Sequence, residues 1–296
     1  MTNVAQARGV PEAQKDPVLK RYPLRRLRLP VGSGQLSVVV PDDRAWMRKG
    51  TWAAEVLRGK EPPYWCRIWP AAVSIARQLV RSRSDGEEAP LAGVRVLDLG
   101  CGVGVPGIQA AQLGAEVCSV DVESDALAFA HWNARMQPGC LIAPTKQQVD
   151  WSVANVAGKF DLVLLSDVTY HKDHHGPICQ QLSRVLADGG CVLHADPGRD
   201  ASTLFLGGLG RDYQRHEWQR HTQFLDLQAD IRLTMLARTS ESLVRWIERL
   251  AVPSDRVDMG AALSPTASAS SSPVELPESM SPSQAEMVKS EGTMSS

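Results

Sequence analysis

The chain has 296 residues, of which 43% are hydrophobic, enough for one large or two small domains with a sizeable core. Its net charge of −1 gives no sign of a general affinity for nucleic acids, and no stretch approaches the ~20 apolar residues of a membrane helix. Six scattered cysteines without a CxxC pair, and no apolar signal segment, exclude a disulfide framework or zinc ribbon and predict a cytoplasmic protein.

The first ninety residues are predicted to precede the main fold. Residues 1–20 are polar and are expected to be flexible, and residues 21–90 are expected to form a hairpin and helical extension. Two apolar runs in 25–40 flank the turn Gly32-Ser33-Gly34, which predicts a β-hairpin. The basic residues on its approach and first strand are interpreted as a solvated edge rather than a substrate-docking patch: Lys20, Arg21, Arg25, Arg26 and Arg28.

An aromatic segment follows at Tyr64, Trp65 and Trp69, in a chain with only 5% aromatic residues. Trp69-Pro70 opens a predicted amphipathic helix, because apolar residues then recur at helical spacing up to Leu79. The simplest interpretation of Trp65 is a core residue, and Trp69 is open to either a core or a site role.

The stretch from Val94 to Gly107 predicts a buried strand, a tight turn and the start of a helix. Three glycines at alternate positions (Gly100, Gly102, Gly104) let a ligand approach the backbone, and Pro106 suits the first helical turn. The free N–H groups there favour an anionic group of a nucleotide-like ligand. The same glycines with Gly107 also match the dinucleotide pattern GxGxxG, but Asp98 in front of them suits a ligand that carries an ammonium group.

The run D-L-G-C-G-x-G from Asp98 resembles the first motif of the class I S-adenosylmethionine-dependent methyltransferases. The resemblance implies S-adenosylmethionine as cofactor, held by Asp98, Gly100, Gly102 and Gly104. It implies an α/β fold in 91–250, with a doubly wound, mostly parallel seven-stranded sheet of order 3-2-1-4-5-7-6 whose last pair is antiparallel. The alternative is a glycine turn that merely links a strand to a helix.

Two acidic residues at the ends of the next strands are candidate cofactor ligands. Asp121 ends a strand over 116–120 and lies about 20 residues after Gly100, the offset at which an acidic residue commonly binds ribose hydroxyls. Its alternative role, capping the next helix, could fall to Ser124. The resemblance implies that Asp150 accepts a hydrogen bond from the adenine amine and that Trp151 covers the ring, although Trp151 could equally fill the core.

The fourth strand, residues 160–165, leads into Ser166-Asp167-Val168-Thr169-Tyr170. By strand order this loop opens at the same edge as the glycine turn, so Asp167 and Tyr170 are expected to face the transferred methyl group, with Asp167 accepting a proton from a lysine amine. The alternative for Asp167 is a cap of the following turn. His171 and His175 are interpreted as surface or gate histidines, and no metal is predicted.

The fifth strand, 191–195, ends in Asp196-Pro197-Gly198-Arg199. The combination of PYW…WP, DLGCGxG, SDVTY and ADPGR resembles the electron transfer flavoprotein beta subunit lysine methyltransferase group and its bacterial relatives. That resemblance implies that Trp69 borders the cofactor, where a cation–π interaction with a sulfonium is worth about 0.5–2 kcal/mol. Ser166 and His171 depart from the group pattern. Arg199 could pair with a substrate carboxylate or with Asp167, or lie on the surface.

Two final strands are predicted around 215–224 and 230–237, and the Ser/Pro-rich tail 251–296 is expected to be disordered. Three functions remain open. The first is a protein-lysine N-methyltransferase with a protein substrate as partner. The second is a small-molecule or RNA N-methyltransferase, with RNA disfavoured by the neutral charge. The third is a non-catalytic cofactor-binding protein, which the intact acidic residues disfavour.

Overall fold

The computed structural model describes residues 11–48, 63–81, 89–140, 142–210 and 212–252. The tail prediction for 251–296 therefore lies almost wholly outside the described residues, as does the flexibility expected of residues 1–10. The strands are β1 Leu24–Val31, β2 Gly34–Pro41, β3 Arg95–Leu99, β4 Glu116–Asp121, β5 Thr145–Gln148, β6 Phe160–Ser166, β7 Leu186–Asp196, β8 Gln214–Phe224 and β9 Leu227–Ala237.

Seven of these strands form one sheet in the order β5-β4-β3-β6-β7-β9-β8. Strands β3 to β7 are parallel, whereas β9 runs antiparallel to both β7 and β8. The central strands are buried on both faces, as Leu162 to Leu165 illustrate with no exposed surface. The predicted α/β fold and strand order are confirmed.

The helices are α1 Asp43–Arg48, α2 Pro70–Val80, α3 Val105–Gln112, α4 Ser124–Arg135, α5 His175–Val185, α6 Asp200–Leu209 and α7 Ser240–Arg249. Two boundaries differ from expectation. Helix α5 begins at His175, because Pro177 is accommodated within the first turn, and β7 begins at Leu186, because Leu186 already pairs with Phe160 ahead of a register shift. Within the described ranges, no helix combines the length and apolar character that crossing a bilayer requires.

The predicted hairpin is present as a separate two-stranded antiparallel sheet, β1 and β2, closed by the turn Gly32-Ser33. Its β2 strand is attached to α4 by Asn133, whose amide accepts from the Val39 N–H at 2.7 Å and donates to the Val39 carbonyl at 3.0 Å. The side chain of Asn133 thus takes the place of a neighbouring strand at this edge.

The segment before the hairpin is more ordered than its composition predicts. Residues 11–20 contain a 3-10 turn over Ala13–Lys15 and the start of another over Leu19–Arg21, and Ala13 and Leu19 are buried. The expected flexibility does not extend to these residues, because two apolar side chains are enough to dock a short segment on an existing core. In the basic cluster, Lys20, Arg21 and Arg28 are exposed, as expected of a solvated edge, while Arg21 also pairs with Asp125 and Arg25 with Asp43.

Gly104→Ala is expected to lower the free energy of unfolding by about 2–4 kcal/mol. Gly104 precedes α3 with φ +88°, and a Cβ atom there would lie 2.8 Å from the Cβ of Ala130 on α4. Gly139→Ala is the matched control, because Gly139 has φ +82° but open space around its Cβ position, so only the backbone cost of about 1–2 kcal/mol applies. Urea denaturation measures both. Equal losses would show that the close approach of α3 and α4 does not matter.

Candidate active site

A cavity of about 720 Å³ opens at the carboxyl edge of the sheet, where β3 is flanked by β4 on one side and β6 on the other. This is the point at which the strand order reverses, where doubly wound sheets bind ligands. Eight of the ten predicted site residues line it: Trp69, Gly100, Gly102, Asp121, Asp150, Trp151, Asp167 and Tyr170.

The glycine turn brings the backbone to the cavity. Gly100 has φ +73°, and a Cβ atom there would lie 2.5 Å from Val168 Cγ1 in the loop after β6. The loops after β3 and β6 therefore meet closely enough that only glycine fits at this position, and the turn lines the cavity.

Asp98 and Gly104 do not line the cavity, and their expected direct contact with the cofactor is corrected. Asp98 lies within β3 rather than at its end, is fully buried, and its Oδ2 accepts the Gly107 N–H at 2.9 Å. Burial raises its pKa to about 7. Asp98 thus shapes the turn from behind, and Gly104 allows α3 to pack on α4.

Asp121 stands at the cavity wall with both carboxylate oxygens in use. Oδ2 accepts the Gly102 N–H at 2.9 Å, and Oδ1 accepts the Glu123 N–H at 3.0 Å. Glu123, not Ser124, precedes α4, so Asp121 itself supports the start of that helix. Each oxygen retains a second lone pair for a ligand hydroxyl. The ribose role stays a prediction that this geometry permits.

Cofactor affinity is expected to fall as the pH drops from about 8 to about 5.5. Burial raises the pKa of Asp121 to about 6, so the charged acceptor present at pH 8 is mostly protonated at the lower pH. A charged carboxylate binds hydroxyl groups and cations more tightly than a neutral acid. Since only about a quarter of Asp121 is charged at pH 5.5, its protonation alone should lower cofactor affinity about fourfold. Calorimetry across this range measures the effect, and Asp121→Asn should remove its share. An affinity that is constant with pH would contradict the prediction.

Asp150 and Trp151 occupy the side of the cavity that follows β5. Asp150 accepts from the Ser152 N–H at 2.9 Å and hydroxyl at 2.5 Å, which lowers its pKa. The half-buried Trp151 ring meets the His174 ring edge to face, with centroids 6.2 Å apart. A carboxylate beside an aromatic face is the arrangement that an adenine ring requires, and both roles stay predictions.

Asp167 is held firmly on the opposite side. It adopts φ +52°, its N–H donates to the Ala195 carbonyl at 2.8 Å, and its carboxylate accepts two hydrogen bonds from Arg199, from Nε at 2.9 Å and from Nη2 at 3.0 Å. Burial raises the pKa of Asp167, and the guanidinium opposes the rise. The sequence left open whether Arg199 pairs with a substrate carboxylate, pairs with Asp167 or lies on the surface, and in the structure it pairs with Asp167.

An aromatic wall of Tyr64, Trp69 and Tyr170 borders the same side. The Tyr64 ring contacts Trp69 and Tyr170 edge to face, at centroid distances of 6.1 and 5.8 Å. Trp69 Nε1 donates to the Tyr64 carbonyl at 3.0 Å, and Tyr64 is 42% exposed. All three residues line the cavity, where aromatic rings can bind a cationic side chain.

Several lining residues were not anticipated: Tyr22, Tyr64, Arg67, Glu123 and His174. The sequence could have pointed to Tyr64, which lies within the PYW motif, and to His174, which lies within a histidine-rich loop. Tyr22 lies in the N-terminal extension, where no motif marked it as a site residue. Trp65, expected in the core, packs on Tyr22 and also lines the cavity.

A family model described as "Lysine methyltransferase" matches residues 61–209. The "Ubiquinone biosynthesis O-methyltransferase" of Caulobacter sp. (strain K31) is 30% identical over 170 residues, 54% of this chain and 67% of the relative. The enzyme of the same name from Thiobacillus denitrificans is 28% identical over 134 residues, 45% of this chain and 57% of the relative. The chain spans from about half to two thirds of the length of these curated relatives.

Among solved structures, the N-methyltransferase NodS from Bradyrhizobium japonicum WM9 aligns with a TM-score of 0.45 at 18% identity, covering 57% of this chain and 86% of that one. The narrower resemblance to the electron transfer flavoprotein beta subunit group stays a prediction. Since the family model covers half of the chain, and the glycine turn lies within the match, the chain belongs to the lysine methyltransferase family and is a class I S-adenosylmethionine-dependent methyltransferase.

Proposed function

We propose that this protein transfers a methyl group from S-adenosylmethionine to the amine of a lysine side chain in a protein. The observation that carries the proposal is that the Asp167 carboxylate and the aromatic wall line the same cavity. A carboxylate next to aromatic faces favours a cationic amine on a slender apolar stem, which describes lysine.

The charge around the cavity supports a cationic acceptor. Four carboxylates line it: Asp121, Glu123, Asp150 and Asp167. Arg67 lines it as well, but its Nε lies 2.7 Å from Asp43 Oδ2, and the adjacent Arg199 is engaged with Asp167. With Asp43 included, five carboxylates stand against two guanidinium groups, and this charge balance disfavours an anionic substrate.

The residues present fit the cofactor, because the glycine turn, the carboxylates of Asp121 and Asp150 and the indole of Trp151 line one cavity. When bound, S-adenosylmethionine supplies a methyl group already activated on a sulfonium. Gly100 and Gly102 would hold its amino-acid portion, Asp121 the ribose, and Asp150 with Trp151 the adenine.

The bound ammonium must also lose a proton before its nitrogen can attack the methyl group. A lysine amine with pKa near 10.4 is uncharged in only about one molecule in 2,500 at pH 7. Asp167 keeps lone pairs that Arg199 does not use, and one of these can take up the ammonium proton while the carboxylate aims the freed nitrogen lone pair at the methyl group. Much of the rate then comes from this orientation, because the methyl donor needs no further activation.

A second candidate is methylation of a small molecule, which the names of the curated relatives favour. A tritiated-methyl transfer assay on a cell lysate separates the two. Label that survives nuclease and is lost on protease treatment, and that is found in methyl-lysine after hydrolysis, supports the proposal. Label that appears only in small solutes supports the second candidate, and label lost on nuclease treatment indicates RNA.

A further inference from the structure

Behind Asp167 lies an ion-pair chain that crosses the carboxyl edge of the sheet. It comprises Arg232 on β9, Asp196 at the end of β7, Arg199 in the turn before α6, and Asp167 after β6. Its members alternate in charge. Each of the two carboxylates accepts hydrogen bonds from two nitrogens of one guanidinium group, with N···O distances between 2.9 and 3.1 Å.

Asp196 is the centre of this chain and is fully buried. Its Oδ1 accepts the backbone N–H groups of Gly198 at 2.6 Å and Arg199 at 3.0 Å, and both oxygens accept from the Arg232 guanidinium at 3.1 Å. The carboxylate therefore folds the turn that carries Arg199, while Arg232 prevents the carboxylate from rotating away.

This turn fixes the direction in which the Arg199 side chain points. With its backbone N–H held by Asp196, Arg199 presents its planar fork to both oxygens of Asp167 at the cavity wall. Buried ion pairs are costly, and an apolar contact would join β7 to β9 at lower cost. Two linked ion pairs directly behind a cavity carboxylate are better explained by a role in orienting that carboxylate.

We propose that Asp196 and Arg232 are positioning residues that act through Arg199 to hold Asp167 as an oriented carboxylate facing the substrate amine. The proposal rests on the proposed function in one respect, which is that the group approaching Asp167 is a lysine amine. The orientation itself concerns only residues of this chain.

The charged and titratable groups around Asp167 give this role a measurable signature. Arg199 and Asp196 face it from the turn after β7, and Tyr64 lies near Arg199 from the segment before α2. Burial raises the pKa of Asp167 and Arg199 opposes that rise, so a misdirected Arg199 must let the pKa climb further. The acid limb of the pH–rate profile then moves to higher pH, since Asp167 is active when charged.

Carbon-13 NMR of the full chain, labelled at aspartate carboxyl carbons, tests this without a substrate. Asp167→Asn identifies the Asp167 signal, and its titration midpoint is followed in Arg199→Gln, Arg199→Lys, Arg232→Met and a control, Arg215→Met, which removes an arginine of β8 that contacts Glu217 instead. We expect the midpoint to rise in Arg199→Gln and in Arg232→Met, to be restored in part by Arg199→Lys, and to stay unchanged in the control.

Methyl transfer to lysate protein is measured in parallel. We expect Arg232→Met to lower kcat about tenfold and to move the acid limb upward, with the cofactor dissociation constant unchanged. An Asp167 midpoint and a pH profile that stay at the wild-type position in a folded Arg232→Met variant would overturn the proposal. If the midpoint moves as expected while label enters only small solutes, the positioning role stands and the lysine acceptor is wrong.

Discussion

Replacing Asp167 with asparagine is expected to reduce methyl transfer by about 10²–10⁴-fold while leaving the cofactor dissociation constant within about twofold. The change removes the carboxylate that accepts the amine proton and orients the nitrogen, and the new amide would place an N–H group against the Arg199 guanidinium. The cofactor contacts are spared, because the glycine turn, Asp121 and Asp150 follow other strands.

The measurement combines tritiated-methyl transfer with calorimetric titration of S-adenosylmethionine. Asp173→Asn is the matched control, since Asp173 follows the same strand but its side chain is 87% exposed and it does not line the cavity. Turnover of Asp167→Asn near the wild-type rate would show that Asp167 does not assist the acceptor amine, whatever its position in the cavity.

Asp121→Ala is expected to raise the dissociation constant for S-adenosylmethionine by about 10–100-fold. The change would remove the equivalent of one charge-assisted hydrogen bond to the ribose diol, roughly 1.5–3 kcal/mol for a bond to a charged group. The N–H groups of Gly102 and Glu123 also lose their acceptor, so a drop in thermal stability should accompany the loss.

A double-mutant cycle separates the ribose contact from this structural part. Methylthioadenosine and its 2′-deoxy analogue are titrated into wild type, Asp121→Ala and the control Asp188→Ala, which removes an exposed carboxylate on β7. Loss of the hydroxyl should weaken binding to wild type and to the control, and should change little in Asp121→Ala. An equal penalty in all three proteins would refute the ribose role.

The main elements of the fold could be predicted because they depend on local chemistry. Alternating glycines after an apolar strand, a proline at the first helical turn and acidic residues after successive strands repeat a pattern that the backbone imposes on doubly wound sheets. The strand order followed from family resemblance, and the structure reproduces it. The boundaries of α5 and β7 were predicted less accurately. Pro177 was expected to begin α5 but lies in its first turn, and Gly189 was expected to precede β7 but lies within it, because Leu186 already pairs with Phe160.

The candidate site was predicted in part. Asp121, Asp150, Trp151, Asp167 and Tyr170 reach the cavity because they follow strands whose carboxyl ends meet at one edge. Asp98 was misplaced at the mouth of the turn, because sequence does not reveal that the strand continues one residue further and turns the carboxylate inward.

The sequence by itself determined the glycine turn, the carboxylates after each strand and the cofactor that they imply, since each depends on neighbouring residues along the chain. Only the tertiary structure decided that Arg199 pairs with Asp167, that Arg232 braces Asp196, and that Tyr22 and Tyr64 complete the cavity. These contacts join residues between about 30 and 100 positions apart, and a side chain's partner at such separation depends on how the strands and loops pack, which no local pattern encodes.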